Sequence, residues 1–248
     1  MEDKIIYEVL RVINGKPIFL ETHLERMKNS FELINKEFKF SYDEISMEIN
    51  NLIKTEKKSE GNIKITYAVN ENILRMFFIE HSYPSFEMYE YGVKTILYFG
   101  ERENPNAKIV NENFREKVNN EIKDKNAYEA ILVDKNGYIT EGSKSNIFMV
   151  KDDELLTSPT KAVLPGVTRG EIIKIAEKLG IKIKEVEYKY SDIDKLDGMF
   201  ISGTSPKVLP IKSVNNINLD PNNGIIRKLS KEYDNDINEY MKNKLNCN

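Results

Sequence analysis

Two Asn-Gly dipeptides, Asn14-Gly15 and Asn136-Gly137, each separate two short runs that are rich in apolar residues. This dipeptide favours the tight turn of an antiparallel β-hairpin, so hairpin strands are predicted in both halves of the chain. A third hairpin is predicted at 70–72, between strands over 62–69 and 73–79. Helical periodicities occur in both halves as well. We therefore predict an α+β chain of two subdomains with a cleft between them.

Helices are predicted where apolar residues recur at intervals of three and four. The apolar stripe from Leu24 to Ile34 predicts a first helix, and Thr22 with Glu25 predicts a capping box at its start. A helix over 168–179 is predicted to end at Gly180. Further helices are predicted at 42–54, about 111–123 and 221–241, and further strands at 5–13, 93–99, 129–133, 138–141, 147–150, 154–157, 181–187, 198–202 and 208–211.

The polar, turn-rich stretch 100–107 is the predicted boundary between the subdomains. It divides the chain into an N-terminal subdomain, 1–103, and a C-terminal subdomain, 104–248.

Composition narrows the function classes. The chain has 37 basic and 40 acidic residues, a net charge of -3, which gives no basic face for nucleic acid or membrane. No apolar run is long enough to span a bilayer, and the start at Met1 has no signal-peptide pattern. The single cysteine, Cys247, and the two histidines leave no set for a thiolate or histidine-rich metal site. We expect a soluble cytoplasmic protein without a metal.

One carboxylate, Glu141, lies in a run of small polar residues, 140–146, just before a predicted strand. About twenty residues later, Gly166-Val167-Thr168 begins a predicted helix whose free N–H groups and positive dipole end suit an anion. Thr168 with Glu171 also fits a capping box, which needs no ligand. Local context alone favours a surface glutamate after a hairpin as the interpretation of Glu141.

Lys108 lies between apolar residues after a Pro-Asn-Ala turn. An amine in an apolar setting is neutral often enough to form an imine, yet a solvated lysine is the commoner outcome in a lysine-rich chain. Arg26 in the first helix and Thr204 in a Gly-Thr-Ser turn are weak signals alone. Together these residues are what pyridoxal phosphate requires: an imine-forming amine, an acid for the ring nitrogen and a phosphate cradle.

In this order the motifs resemble the class IV (fold-type IV) pyridoxal-phosphate enzymes, which include branched-chain aminotransferases, D-amino-acid aminotransferases and 4-amino-4-deoxychorismate lyases. The resemblance runs from Tyr7-Glu8-Val9 nearly to the C-terminus. It rests on these segments: 14–17, 23–26, Lys108, 129–132, 140–143, 164–169 and 200–204.

The resemblance implies a role for each site residue. Lys108 forms the imine with pyridoxal 5'-phosphate and shuttles the substrate proton, while Glu141 pairs with the pyridine nitrogen. Tyr7 lines the substrate pocket. The phosphate is held, and the ring is packed, by these residues: Arg26, Val167, Thr168 and Thr204 for the phosphate, and Leu164 for the ring. A homodimer with its cofactor in the cleft is also implied.

Departures from the family pattern bear on the substrate. Tyr67 stands where D-amino-acid aminotransferases have a carboxylate-binding arginine, and Asn113 or Phe114 lies near the position of a tyrosine that contacts the cofactor oxygen. Family members usually have a strand and a glycine-rich turn before the position of Tyr7, so a trimmed first subdomain is expected.

Three functions follow in order of preference. The first is an aminotransferase that moves an amino group between an amino acid and a 2-oxo acid by ping-pong half-reactions. The second is 4-amino-4-deoxychorismate lyase, disfavoured because its signature has threonines at the positions of Glu8 and Val9. The third is a non-enzymatic binding or scaffold protein.

Overall fold

The computed structural model describes residues 4–243, so the predictions for residues 1–3 and for Cys247 lie outside the described residues. The chain forms two compact units. Unit 1 comprises the chain up to Ser82, the segment Ala107–Val110 and the residues from Asp236 onward, whereas unit 2 comprises Tyr83–Asn106 and Asn111–Asn235.

Unit 1 is a four-stranded antiparallel sheet, with two helices whose apolar side chains share its core. Its elements are β1 (Ile5–Ile13), β2 (Lys16–Pro17), α1 (Leu20–Glu32), α2 (Tyr42–Glu56), β3 (Gly61–Ala68) and β4 (Ile73–Ile79). The strand order is β2-β1-β3-β4, which confirms the hairpins predicted at 14–15 and 70–72. Alternate residues of β1 and β3, from Ile6 to Tyr67, pack in this core.

The capping box predicted at Thr22 is wrong. Helix α1 begins two residues earlier, at Leu20, and follows Phe19, which takes a left-handed conformation with φ 54° and gives no side-chain cap. The buried side chains of Leu20 and Leu24 draw this first turn into the core, so Thr22 lies inside the helix and cannot cap it.

Unit 2 has a mixed sheet in the order β10-β9-β8-β11-β12-β5-β6-β7, with β13 paired to β12. Its elements are α3 (Phe86–Tyr91), β5 (Val93–Phe99), α4 (Glu112–Asp124), β6 (Glu129–Val133), β7 (Ile139–Gly142), β8 (Asn146–Lys151), β9 (Glu154–Thr157), α5 (Val167–Lys178), β10 (Ile183–Glu185), β11 (Gly198–Gly203), β12 (Lys207–Val214) and β13 (Ile217–Asn218). Helix α6 (Gly224–Asn243) contributes residues to both units. The hairpin predicted at 136–137 joins β6 to β7.

Three features of unit 2 differ from the sequence predictions. Between the strands predicted at 73–79 and 93–99, where no helix is predicted, the chain forms α3, which is capped by the Ser85 hydroxyl. Helix α6 starts three residues later than predicted because the Asn223 side chain accepts hydrogen bonds from the first-turn amides. The predicted division at 103/104 also differs from the two compact units, because β5 pairs with β6 and β12 of unit 2.

Candidate functional site

Lys108 lies in a four-residue segment that belongs to unit 1 and runs beside β1. The Tyr7 amide donates to the Lys108 carbonyl at 3.0 Å, and the Val110 amide donates to the Ile5 carbonyl at 3.0 Å. On its other side, the Lys108 amide donates to the Ser30 hydroxyl of α1 at 3.2 Å. The backbone of Lys108 is therefore held between the sheet and the first helix.

The Lys108 amine lies over an aromatic ring. Its Nζ is 4.8 Å from the ring centroid of Tyr7, which is itself buried. Lys64 Nζ on β3 is 5.4 Å from the same centroid. Both amines are therefore within the distance of a cation–π contact with the Tyr7 ring. Sequence reasoning missed Lys64, although the two-residue alternation of β3 places it on the sheet face opposite Ile63 and Ile65.

Arg26 is buried, with only 7% of its surface exposed, and is therefore not a solvated side chain. Its Nε and Nη2 donate to the two oxygens of Glu8 at 2.8 and 2.6 Å, and His23 Nδ1 lies 2.8 Å from the same carboxylate. Burial alone would raise the pKa of Glu8, but Arg26 and then His23 lower it from 4.5 to about 2. Burial lowers the pKa of His23, outweighing the opposite effect of Glu8. The result is an ionised Glu8 that fixes the plane of the Arg26 guanidinium.

In unit 2, Glu141 is 3% exposed and accepts two hydrogen bonds of different kinds. Arg102 Nη1 donates to its Oε1 at 3.2 Å, and the Leu164 amide donates to its Oε2 at 3.0 Å. Glu141 is thus a buried carboxylate in a small donor set, and not a surface glutamate. Arg102 was not among the predicted site residues, and nothing in its local sequence marks it.

A β-bulge aims the Glu141 side chain. Ile131 pairs with Gly142 and Val133 pairs with Ile139, so β7 takes three steps where β6 takes two. Thr140 and Glu141 together therefore oppose Leu132, whose carbonyl accepts from the Thr140 hydroxyl at 3.2 Å. Such an extra residue re-aims side chains locally, and here it lies at the predicted acid.

Leu164 joins this carboxylate to the start of α5. Its amide donates to Glu141, and its carbonyl accepts from Asn146 Nδ2 at 2.8 Å. Asn146 also explains Gly166: a Cβ at that position would lie 2.0 Å from Asn146 Oδ1, so a side chain there would displace the asparagine. Both backbone groups of Leu164 are therefore fixed by residues of one short segment, 141–146.

The capping box predicted at Thr168 is wrong. The N-cap residue of α5 is Gly166, and no side chain among residues 4–243 caps the helix. Val167 and Thr168 form the first turn and are buried, and the Thr168 hydroxyl accepts from Tyr233 Oη at 3.3 Å. Thr168 does not cap because it is the second residue of the helix and not the N-cap residue, so among residues 4–243 no side-chain cap bonds to the first-turn amides.

Thr204 lies in the turn that joins β11 to β12, and it is half-buried. Ser202, at the end of β11, has a fully buried hydroxyl that finds no hydrogen-bond partner among the described residues. Strand β11 packs against α5. An uncapped helix start, threonine hydroxyls and an unsatisfied buried serine hydroxyl are the kinds of group that bind a phosphate.

The residues around Tyr67 and Phe114 are occupied by packing. Tyr67 packs against Phe31, with ring centroids 4.7 Å apart, and its hydroxyl donates to Asn72. Phe114 packs edge-on against Tyr98. Within residues 4–243, no cluster of carboxylates, histidines or cysteines is arranged to bind a metal ion, and no helix there has the length and apolarity to cross a membrane.

Each unit therefore supplies part of the requirements of pyridoxal phosphate. Unit 1 has a positioned amine beside an aromatic ring and a buried arginine. Unit 2 has a buried carboxylate and a set of anion-binding donors. The chemistry of these donors fits the cofactor that the motifs predict.

Comparisons with known proteins agree with this chemistry. A probable branched-chain-amino-acid aminotransferase of Thermotoga maritima is 30% identical over 213 residues, covering 85% of this chain and 77% of that protein. The branched-chain-amino-acid aminotransferase of Escherichia coli strain K12 is 44% identical over 90 residues, which is 36% of this chain and only 29% of that protein.

A crystal structure of a putative 4-amino-4-deoxychorismate lyase from Legionella pneumophila shares the fold, with a TM-score of 0.85 at 21% identity, covering 94% of this chain and 91% of that one. The family model "Amino-transferase class IV" matches residues 5–214. This chain therefore belongs to the class IV aminotransferase family.

Proposed function

We propose that the protein is a pyridoxal-phosphate-dependent aminotransferase that moves an amino group between an amino acid and a 2-oxo acid. The observation that carries the proposal is the family match over residues 5–214, which contains a positioned lysine in unit 1 and a buried carboxylate in unit 2. Two relatives that match 85% and 92% of this chain are named probable branched-chain-amino-acid aminotransferases, so branched-chain amino acids are the first donors to test.

Lys108 is the proposed attachment point and proton carrier. Pyridoxal phosphate, when bound, supplies an electron sink for the bond that breaks at the substrate α carbon. The Lys108 backbone is hydrogen-bonded on both sides, so the side chain can change conformation while the backbone stays in place. As a free amine, Lys108 would accept the proton from the substrate α carbon and would deliver it to the cofactor carbon C4'.

Glu141 is the proposed partner of the pyridine nitrogen, where a buried carboxylate keeps a proton in place. Arg102 donates to Oε1 of the same carboxylate, and the lone pairs that a carboxylate offers allow it to accept the hydrogen bond of the pyridine N–H as well. Leu164 is proposed to pack against the ring, on a backbone fixed by Glu141 and Asn146.

The phosphate is proposed to be held by Arg26 and by the uncapped start of α5. Glu8 accepts from Nε and Nη2 of the Arg26 guanidinium, a positively charged group with five N–H donors whose plane this pairing fixes. Val167 and Thr168 supply first-turn amides, and Thr204 supplies a hydroxyl in the neighbouring turn. Tyr7, beside the Lys108 amine, is the proposed wall of the substrate pocket.

The decisive experiment is a single half-reaction. Cofactor-loaded protein is mixed with branched-chain L-amino acids, then with D-alanine and other donors, while the cofactor's absorption is followed. The proposal predicts a donor-dependent loss of the yellow carbonyl form and its recovery on adding a 2-oxo acid. Failure of conversion with every donor would overturn it. The same assay is repeated with a Lys108→Ala variant, which tests the proposed lysine. Its matched control is Lys94→Ala, at an exposed lysine on β5.

The alternative is 4-amino-4-deoxychorismate lysis. The fold shared with the Legionella protein favours it, since that protein's name carries this activity. Formation of 4-aminobenzoate and pyruvate without any added 2-oxo acid would identify the lyase. The residue at position 8 argues for transamination. The lyase signature has threonine at this position, whereas this chain has a fully buried glutamate, Glu8.

We further propose that the protein is a homodimer, as its resemblance to the family implies. Strand β4 supports this, since Ile73 and Phe77 each expose 39% of their surface on an edge strand. Light scattering should give twice the chain mass, and Phe77→Asp should lower that mass. A monomeric wild type would refute the assembly.

A further inference from the structure

Glu129, the first residue of β6, is a buried carboxylate that the proposed mechanism does not use. It is 5% exposed and accepts hydrogen bonds from the turn over 143–145. The Ser143 and Lys144 amides lie 3.1 and 3.3 Å from its oxygens, the Ser145 hydroxyl lies at 3.1 Å, and the Ser143 hydroxyl also donates to it. Four donors from three consecutive residues therefore converge on one side chain.

This turn follows Glu141 directly. The Gly142 amide closes it by donating to the Ser145 carbonyl at 2.8 Å. A Cβ on Gly142 would lie 2.1 Å from the Ser145 hydroxyl oxygen and 3.3 Å from Glu129 Cγ, so no side chain fits between them. Glu129 and the turn are thus packed tightly around the residue next to Glu141.

The turn also fixes one end of the β-bulge. The bulge begins after Ile139 and ends at Gly142, so the direction of the Glu141 side chain depends on where Gly142 is held. Main-chain pairing with Ile131 holds Gly142 from one side. The carboxylate of Glu129 holds the turn that follows Gly142. The extra residue of the bulge is therefore fixed at this end and cannot shift along the strand.

We propose that Glu129 is a positioning residue: by holding the turn over 143–145, it directs the Glu141 carboxylate onto the Leu164 amide. The role of Glu141 itself rests on the proposed function, but the geometry does not, so the two are tested separately. Neither the resemblance nor the local sequence assigns this task to Glu129, which stands at the start of an otherwise apolar strand.

The test is amide hydrogen exchange in the cofactor-free Glu129→Gln protein, measured by NMR. A glutamine keeps the shape but replaces one acceptor oxygen with a donor NH₂ group, so it cannot accept from all four donors. The Lys144 amide should exchange faster, whereas the Ser143 amide, which also donates to the Ala130 carbonyl at 2.9 Å, should change less. If Glu129 positions Glu141, the Leu164 amide, which has no contact with Glu129, should also exchange about tenfold faster.

Asp134→Ala is the control, because the two amides that Asp134 holds share one oxygen, Oδ1, which an asparagine would retain. Asp134 clamps the opposite end of the same hairpin by accepting from the Asn136 and Tyr138 amides at 2.9 and 2.8 Å. This variant should speed exchange at 136 and 138 and leave Leu164 unchanged. Should Glu129→Gln fail to fold, Ser145→Ala removes a single donor and should move Leu164 in the same direction by a smaller factor.

Unchanged Leu164 exchange in a folded Glu129→Gln or Ser145→Ala variant overturns the proposal and leaves Glu129 as a local turn clamp. A second readout uses the cofactor. Glu129→Gln should shift the absorption of bound pyridoxal phosphate and lower kcat, with KM for the donor changed less than about twofold. If no cofactor binds to the wild type, the proposed function fails, yet the exchange result still decides the role of Glu129.

Discussion

The cluster of Glu8, His23 and Arg26 gives the sharpest stability prediction. Glu8 is fully buried, and its pKa is lowered from 4.5 to about 2, chiefly because the attraction of Arg26 and His23 exceeds the cost of burial. Since each pKa unit is worth about 1.4 kcal/mol, ionised Glu8 stabilises the folded protein by about 3 kcal/mol at neutral pH. Breaking a buried ion pair costs about 3–5 kcal/mol, which agrees with this value.

Glu8→Gln should therefore lower the free energy of unfolding by about 3 kcal/mol at pH 7, and Tm by about 6–12 °C. The assay is urea unfolding followed by circular dichroism, repeated from pH 7 to pH 2. The lowered pKa means that the contribution is complete above about pH 4.5 and is lost as pH falls toward about 2. The gap between wild type and variant should close over this window.

The matched control is Glu154→Gln. Glu154 also pairs with two cationic side chains, Lys182 and Lys184, but on an exposed surface where such pairs contribute little. Its substitution should leave the unfolding curve nearly unchanged. A Glu8→Gln curve that coincides with the control, or a gap that is the same at pH 7 and pH 2, would refute the energetics assigned to the cluster.

The other predictions concern protons and the cofactor. Burial lowers the pKa of His23 in the folded protein, so as pH drops below 6.5 this histidine takes up a proton in the unfolded chain before it does in the folded one. The free energy of unfolding should therefore fall below pH 6.5, and His23→Gln should flatten this part of the pH–stability curve. Lys108→Ala should lower turnover more than about a thousandfold while pyridoxal phosphate still binds without a borohydride-trappable bond; near-normal turnover would show that Lys108 is misassigned. Glu141→Gln should keep the trappable bond yet lower kcat by about a hundredfold or more; an unchanged kcat would remove Glu141 from its proposed role.

Sequence periodicity predicted most of the fold, including the start of α2 at Tyr42, but not the starts of α1, α5 and α6. The bounds of β1, β4, β5, β6 and β9 coincide with the predictions, because each is a short apolar run between turn residues. Both predicted capping boxes failed for one reason. Thr22-x-x-Glu25 and Thr168-x-x-Glu171 match a pattern of residue types, whereas the real starts are set by Phe19 and Gly166, where the chain changes direction.

The division into units could not be read from composition. The polar stretch 100–107 looks like a linker, yet only four residues, Ala107–Val110, belong to unit 1 before the chain returns to unit 2. This assignment depends on backbone hydrogen bonds to β1, about a hundred residues earlier in the chain, and on the Ser30 hydroxyl. Non-local pairing of this kind leaves no mark in a local window, although it positions Lys108.

Burial of carboxylates identifies the important acids without any motif. The sequence contains 40 acidic residues, and within residues 4–243 the buried ones are Glu8, Glu129 and Glu141. An ionised carboxylate is expensive to bury unless donors surround it, so each of these needs a structural or chemical reason. Glu8 holds Arg26, Glu129 holds the turn after Glu141, and Glu141 holds the Leu164 amide beside Arg102. Glu141 is itself proposed to contact the cofactor. Glu8 and Glu129 are proposed to act indirectly, each by holding a residue or turn next to the cofactor site. Buried carboxylates thus include residues that orient the proposed site as well as one that forms it. For this reason we expect substitution of Glu8 or Glu129, like substitution of Glu141, to lower kcat.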